Sequence, residues 1–106
     1  MTTPVEIIEL HDALLRRAFV DYTERTMKID FEYFASTEDS NRKALSICFE
    51  GVDSISQISS LDRLKKNAFA GNVNYWLPSE KDGGTTYIYL ADGCIAIKAD
   101  QVYVEA

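Results

Sequence analysis

Apolar and polar residues alternate along most of this chain, and that alternation predicts β-strands. The clearest case is residues 85–99, where two alternating runs flank Asp92-Gly93. Because Asp-Gly readily adopts the positive φ angles of a type I′ turn, we expect a two-residue hairpin loop there. This register pairs Leu90 with Ile95 and Ile88 with Ile97, and it gathers these four aliphatic side chains on one face that another layer must cover.

Two earlier runs, residues 14–22 and 27–34, predict a second hairpin. Pairing Tyr22 with Met27 across a short loop collects mostly apolar residues on one face, and it opposes charges of unlike sign on the other. Residues 44–50 predict a third strand, which returns beside the second. Further strands are predicted over residues 72–77 and, as a last edge strand, over residues 102–104.

One segment favours a helix instead of a strand. Ser59-Ser60 offers a serine N-cap, Asp62 lies in the first turn, and Leu61 and Leu64 keep helical spacing with Ala68. We therefore predict a helix over about residues 60–70, packed across the aliphatic face of the sheet.

Together these elements predict an α+β fold in a single domain spanning residues 1–106. Its main layer is a twisted antiparallel sheet of about five to seven strands, a meander that could curl into a half-barrel, because the connections are short and local. Residues 1–10 could form a strand or a helical turn. Leu10-His11-Asp12-Ala13 resembles a corner that leads into the first strand.

The charge balance narrows the classes of partner. The chain has 17 Asp and Glu against 11 Lys and Arg, a formal net charge of −6. Nucleic-acid binding depends on clustered basic residues, so it is not expected. An acidic surface suits a basic protein partner, although it also simply favours solubility.

The chain has no apolar run long enough for a membrane span and no signal-peptide pattern, so we expect a cytoplasmic protein with free thiols at Cys48 and Cys94.

Candidate chemistry is sparse. His11 is the only histidine, and neighbouring strand residues point to opposite faces, so it pairs with Asp12 only if the backbone turns there. One histidine and two distant cysteines form no metal-binding pattern, and no cofactor motif is present, so we expect neither a metal nor a cofactor. The enzymatic alternative is therefore a small-ligand binder or minor enzyme with a pocket between helix and sheet that involves His11 and Asp12.

Aromatic residues cluster in the last third of the chain. Tyrosine and tryptophan are enriched at protein interfaces, which makes this cluster the candidate interaction surface. The alternative is that Trp76 fills the core while the tyrosines line a half-exposed sheet face. The candidate surface residues are Tyr75, Trp76, Tyr87 and Tyr89.

The segment Leu10-His11-Asp12-Ala13-Leu14, followed by Val20-Asp21-Tyr22 and residues 27–31, resembles small bacterial families of unknown function. Some of these families resemble immunity proteins of contact-dependent or polymorphic toxin systems. The resemblance covers about the first third of the chain. It implies a cytoplasmic, non-enzymatic, β-rich protein that blocks a partner by surface complementarity, and it identifies no binding residue. The leading hypothesis is a non-catalytic interaction module, either monomeric or dimeric through the edge strand at residues 102–104.

Overall fold

The alternating runs form an open antiparallel sheet in a computed structural model that describes residues 5–36, 38–67 and 71–105. A 3-10 helix (Val5–Ile7) comes first, and one short α-helix lies between the third and fourth strands. Six strands occur in the described residues, within the predicted range. They are β1 (Leu14–Asp21), β2 (Thr26–Tyr33), β3 (Lys43–Ile58), β4 (Val73–Leu77), β5 (Thr85–Leu90) and β6 (Gly93–Glu105); the helix is α1 (Leu61–Lys66).

The strand order is β1-β2-β3-β6-β5-β4, so the sheet consists of two three-stranded meanders joined along β3 and β6. The predicted meander is right within each half, but the β3–β6 junction pairs residues far apart in the sequence. β6 therefore lies inside the sheet. The prediction of a separate edge strand over residues 102–104 is wrong, because these residues are the end of β6 and pair with Ile47, Cys48 and Phe49 of β3.

Each predicted hairpin register is displaced by two residues in the structure. Ile88 pairs with Ile95 instead of Ile97, and Val20 pairs with Met27 instead of Ile29. Between β2 and β3, Phe49 pairs with Met27. A shift of two residues leaves every side chain on its predicted face, because the side-chain period of a strand is two. From Arg17 to Asp21, and along β5 and β6, the apolar faces are therefore as predicted, whereas the bulge between Leu15 and Arg17 moves Leu15 to the face of Phe31. The turns differ from the prediction.

The turn between β5 and β6 explains one of these shifts. Neither Asp92 nor Gly93 has a positive φ, so the predicted type I′ Asp-Gly turn does not form. The loop residues are Ala91 and Asp92, and Gly93 is the first residue of β6. A Cβ atom at Gly93 would overlap the backbone carbonyl of Ile58. Glycine is therefore needed here for close approach of two strands, not for turn geometry.

Strand β3 continues well past Gly51, where the sequence predicted its end. Gly51 has a φ of 62°, and the register shifts between Val52 and Ser54. Such a bulge bends a strand and increases its twist without ending it. Beyond the bulge, β3 pairs with β6 as far as Ile58, so residues 54–58 belong to the strand.

Helix α1 begins as predicted but is much shorter. Ser60 caps it, its hydroxyl oxygen accepting a hydrogen bond from the Arg63 backbone N–H at 3.3 Å. No residue of α1 is buried, and Leu61 is 77% exposed. The prediction that this helix covers the aliphatic face is therefore wrong, because six residues form under two turns and only Leu64 packs against the core. The predicted positions 68–70 lie outside the described residues.

The segment before β1 fills the core instead. Ile8, Leu10 and Ala13 are buried with the inward residues of the strands, and the Asp12 N–H donates to the Val73 carbonyl at 3.0 Å. The segment thus spans from β1 to the opposite edge strand, β4, while the sheet itself stays open. The inward residues it packs with include Met27, Ile29, Phe31, Leu45, Ile47, Phe49, Val73, Trp76, Ile88, Leu90, Ile95, Ile97 and Val104. No helix in the described ranges has the length and apolar character needed to cross a membrane.

Candidate interaction surface

Three of the four candidate surface residues stack on the outer face of β4 and β5. Tyr75 pairs with Tyr89 across the two strands, and their ring centroids lie 4.7 Å apart with planes inclined by 27°. Tyr87 stacks along β5 on Tyr89, with centroids 6.2 Å apart. The period of two along β5 places Tyr87 and Tyr89 on the face opposite Ile88 and Leu90, so the buried aliphatic pair determines where the tyrosines point.

The stacked tyrosines belong to a wider apolar patch that crosses four strands. Cys94 lies opposite Tyr89, and Ile58 lies opposite Cys94, so one row runs from β4 to β3. A second row carries Leu77 and Ala96 beside Tyr87. Exposed fractions of 76% for Ile58, 50% for Leu77 and 48% for Tyr75 show that no other part of the described chain covers this patch. The tyrosine face comprises Ile58, Tyr75, Leu77, Tyr87, Tyr89, Cys94 and Ala96.

Trp76 does not belong to the tyrosine face. It is only 6% exposed, and its indole N–H donates to the Ile8 carbonyl at 2.9 Å. Of the two alternatives for this residue, the core position is the one found, because Trp76 lies between two outward residues of β4 and must point inward.

Sequence reasoning missed Ile58 and Leu77 as members of the tyrosine face. Ile58 lies beyond the predicted end of β3, and Leu77 is one apolar residue in a strand whose neighbours were unknown. The signal that could have revealed Ile58 is the spacing of Ser54, Ser56 and Ile58, which share one face of a continued strand.

The electrostatics of the tyrosine face are mild. Desolvation, followed by the proximity of Tyr75, raises the pKa of Tyr89, so its phenol is neutral at physiological pH. Two exposed ion pairs border the face: Asp53 with Lys98 at 3.9 Å, and Asp92 with Arg63 at 3.8 Å. Beyond Leu77 and Tyr87 the surface continues into a broad cleft of about 1140 Å³ that is also lined by Glu80 and Lys81.

His11 and Asp12 occupy the predicted corner. The Ala13 N–H donates to the Leu10 carbonyl at 2.9 Å, and Asp12 has a φ of 63°, so the backbone turns between the two residues. The turn that a pairing of His11 with Asp12 requires is therefore present, at the corner that the sequence predicted. His11 Nε2 lies 3.4 Å from Asp12 Oδ2, while Nδ1 lies 2.8 Å from the Asn74 carbonyl oxygen. Both side chains are exposed.

The corner at His11 and Asp12 connects the segment that precedes β1 to strand β4 through hydrogen bonds. The hydrogen bond to the Asn74 carbonyl, and then the charge of Asp12, raise the pKa of His11. Both contacts favour the protonated ring, which donates from each nitrogen. The imidazole is thus already engaged on both sides, and no nucleophile lies among the groups it contacts.

A cleft between helix and sheet does exist, but His11 does not line it. The cleft measures about 480 Å³, has an apolar floor that includes Leu14, Leu64 and Ile95, and has Arg16, Arg17 and Lys65 among its other lining residues. Arg16 and Arg17 form ion pairs with Glu32 and Asp30. The predicted combination of a pocket with His11 is therefore not found at this position.

Neither cysteine lies in a metal-binding cluster. Within residues 5–36, 38–67 and 71–105, no three His, Cys, Asp or Glu side chains come together as a metal site. Both thiols are free. Burial and the hydrogen bond to Glu105 raise the pKa of the Cys48 thiol to about 11, so this group is unreactive at neutral pH.

Comparison with known proteins adds no functional assignment. No protein-family model, curated protein or solved structure matches this chain. The resemblance to immunity-protein families therefore stays a prediction from a short motif, and functional inference depends on the surface described above.

Proposed function

We propose that this protein is a small non-catalytic interaction module that binds a basic segment of a protein partner on its tyrosine face. The observation that carries the proposal is the continuous row of stacked tyrosines across β4 and β5, in which Tyr75 and Tyr87 are exposed and Tyr89 lies half-buried between them. An exposed apolar surface of this kind, on one side of a sheet, is typical of a site that another molecule covers. Occlusion of a partner, the action that the immunity-protein resemblance implies, is one role that such a surface can perform.

Three physical features support a basic partner. The faces of neutral tyrosine rings attract Lys and Arg side chains through their quadrupoles. The net charge of −6 steers cationic molecules toward the protein at low ionic strength. Glu80 lies in the cleft that adjoins Tyr87, where it can accept hydrogen bonds from a bound cation.

The proposal is tested by titrating the isotope-labelled protein with an arginine-glycine repeat peptide and following backbone amide shifts by NMR. The control ligand is a glutamate-glycine peptide of equal length. We expect shifts concentrated on the outer face of β4, β5 and β6, and affinity that falls as salt concentration rises.

The double variant Tyr75→Ser, Tyr89→Ser removes the stacked pair. The exposed Tyr75 ring can supply a cation–π contact worth about 0.5–1 kcal/mol, and loss of Tyr89 removes the ring on which Tyr75 and Tyr87 stack, so this variant should lose at least roughly two- to fivefold in affinity. Tyr22→Ser is the matched control, since Tyr22 is 88% exposed but lies next to β1 at the other edge of the sheet. Equal binding of the acidic peptide, or an equal loss in the Tyr22 variant, would refute the proposal.

A further inference from the structure

The two edges of the sheet are protected very differently. Along β4 the preceding segment covers the edge: Asp12 donates to the Val73 carbonyl, and His11 Nδ1 lies 2.8 Å from the Asn74 carbonyl oxygen. Along β1 only the start is held, where the Leu15 N–H donates to Asn72 Oδ1 at 2.6 Å. From Arg17 to Asp21, β1 pairs with β2 on one side and with no strand of the described chain on the other.

This open edge is regular and partly apolar. The register with β2 runs without interruption from Arg17 to Asp21, after a bulge between Leu15 and Arg17. Phe19 is 55% exposed and Val20 is 38% exposed. An exposed strand edge with apolar side chains and free backbone groups is a template for pairing with another strand.

The residues on this edge are complementary to themselves. A two-fold axis normal to the sheet at Phe19 places Arg17 of one copy opposite Asp21 of the other, twice per pair of strands. The same axis places Phe19 against Phe19, and Ala18 against Val20. A register displaced by two residues opposes Arg17 to Phe19 instead, which leaves the charges without partners. Opposite charges and aromatic pairs directly across antiparallel strands are stabilising.

We propose that the occupant of this edge is a second copy of the same chain, paired antiparallel through residues 17–21 of β1 about a two-fold axis at Phe19. The dimer continues the six-stranded sheet into one of twelve strands. Arg17 currently contacts Asp30 at 3.6 Å, and Asp21 Oδ1 accepts from the Glu24 N–H, which leaves Asp21 Oδ2 for the partner's Arg17. Because β1 and β4 are opposite edges, this pairing is independent of the tyrosine face.

The dimer is expected to be weak. Five paired residues per copy bury less surface than the roughly 800 Å² per partner of a stable interface. We therefore expect dissociation constants above about 1 µM. Sedimentation velocity over concentrations from about 5 µM to about 1 mM should reveal a species of twice the 12.0 kDa chain mass. A monomer across the whole range would overturn the proposal.

Charge reversal tests the register. Arg17→Glu sets two acidic residues opposite each other, and Asp21→Lys sets two basic ones, so each variant alone should be monomeric. An equimolar mixture of the two restores both pairs of unlike charge and should form a heterodimer of near-native affinity. Glu38→Lys, in an exposed loop outside β1, is the control for altered net charge and should dimerise like the native chain.

Two outcomes of the mixing experiment overturn the proposal: variants that still dimerise alone, and a mixture that stays monomeric although circular dichroism shows both variants folded.

A second measurement does not depend on charge. In a Cys94→Ser background, Phe19→Cys should form an interchain disulfide on mild oxidation, because the two residues face each other on the axis. Ser54→Cys is the control, since Ser54 is exposed on the same face of the sheet but lies on β3, and it should not form an interchain disulfide. Equal cross-linking of the two variants would contradict the pairing.

Discussion

Replacing Trp76 by Phe tests whether the tryptophan holds the first segment onto β4. The change removes the indole N–H that donates to the Ile8 carbonyl at 2.9 Å, in a side chain that is only 6% exposed. A buried carbonyl that loses its partner costs about 1–3 kcal/mol. The smaller phenyl ring also leaves a cavity of roughly 40 Å³, which at about 24 cal/mol per Å³ costs about 1 kcal/mol more.

The expected loss in the free energy of unfolding is therefore about 2–4 kcal/mol, a large fraction of the roughly 5–15 kcal/mol typical of a domain of this size. With a urea m-value of about 2 kcal/mol/M, the midpoint should fall by about 1–2 M. Trp76 is the only tryptophan, so the variant has no tryptophan signal to follow. Unfolding of both proteins is therefore measured by far-ultraviolet circular dichroism.

The matched control is Tyr75→Phe, one residue away on the exposed side of the same strand. Because Tyr75 is 48% exposed, we expect this substitution to change stability by less than about 0.5 kcal/mol. If the Trp76 variant shifted the midpoint no more than the Tyr75 variant, the burial and hydrogen bonding assigned to the indole would be refuted.

Three further predictions follow from single residues. Gly93→Ala should cost about 1–3 kcal/mol in the free energy of unfolding, since its Cβ overlaps a carbonyl of β3; unchanged thermal unfolding would contradict this. A maleimide should label Cys94 at least about tenfold faster than Cys48, because Cys48 is buried with a pKa of about 11; peptide mass spectrometry after a timed reaction decides. The contacts of His11 with Asn74 and Asp12 raise its pKa in the folded protein above the ordinary value of 6.5. Their contribution to stability is complete below pH 6.5 and is lost as pH rises through the pKa of the folded state. The native and His11→Gln proteins should therefore differ in unfolding midpoint at low pH and converge at high pH.

Much of the fold could be predicted because burial follows the side-chain period. Ile88 and Ile97 are fully buried, as the alternation indicated, while Tyr87 on the opposite face is 39% exposed. The same period explains the error in every hairpin register. A displacement of two residues preserves both faces, so the hydrophobic pattern cannot distinguish the two registers, and only the turns and bulges decide between them.

The candidate site was predictable in its tyrosines but not in its extent. Tyr87 and Tyr89 could be assigned to one sheet face from their spacing, whereas only the pairing of β4 with β5 places Tyr75 beside them. Trp76 was ambiguous, since an aromatic cluster does not reveal which ring has a buried partner, here the Ile8 carbonyl. Ile58 joins the face only because β3 continues beyond Gly51 and pairs with β6.

By itself the sequence determined which residues of β2, β5 and β6 face inward and where the helix begins, because the first depends on local periodicity and the second on a capping serine. The tertiary structure alone decided the strand order, the position of β6 inside the sheet, and which edge stays open. These features depend on contacts between residues distant in the chain, such as Ile47 with Val104 and Ala13 with Val73. No local pattern specifies such contacts, since they form only when both halves of the sheet bury their apolar faces together.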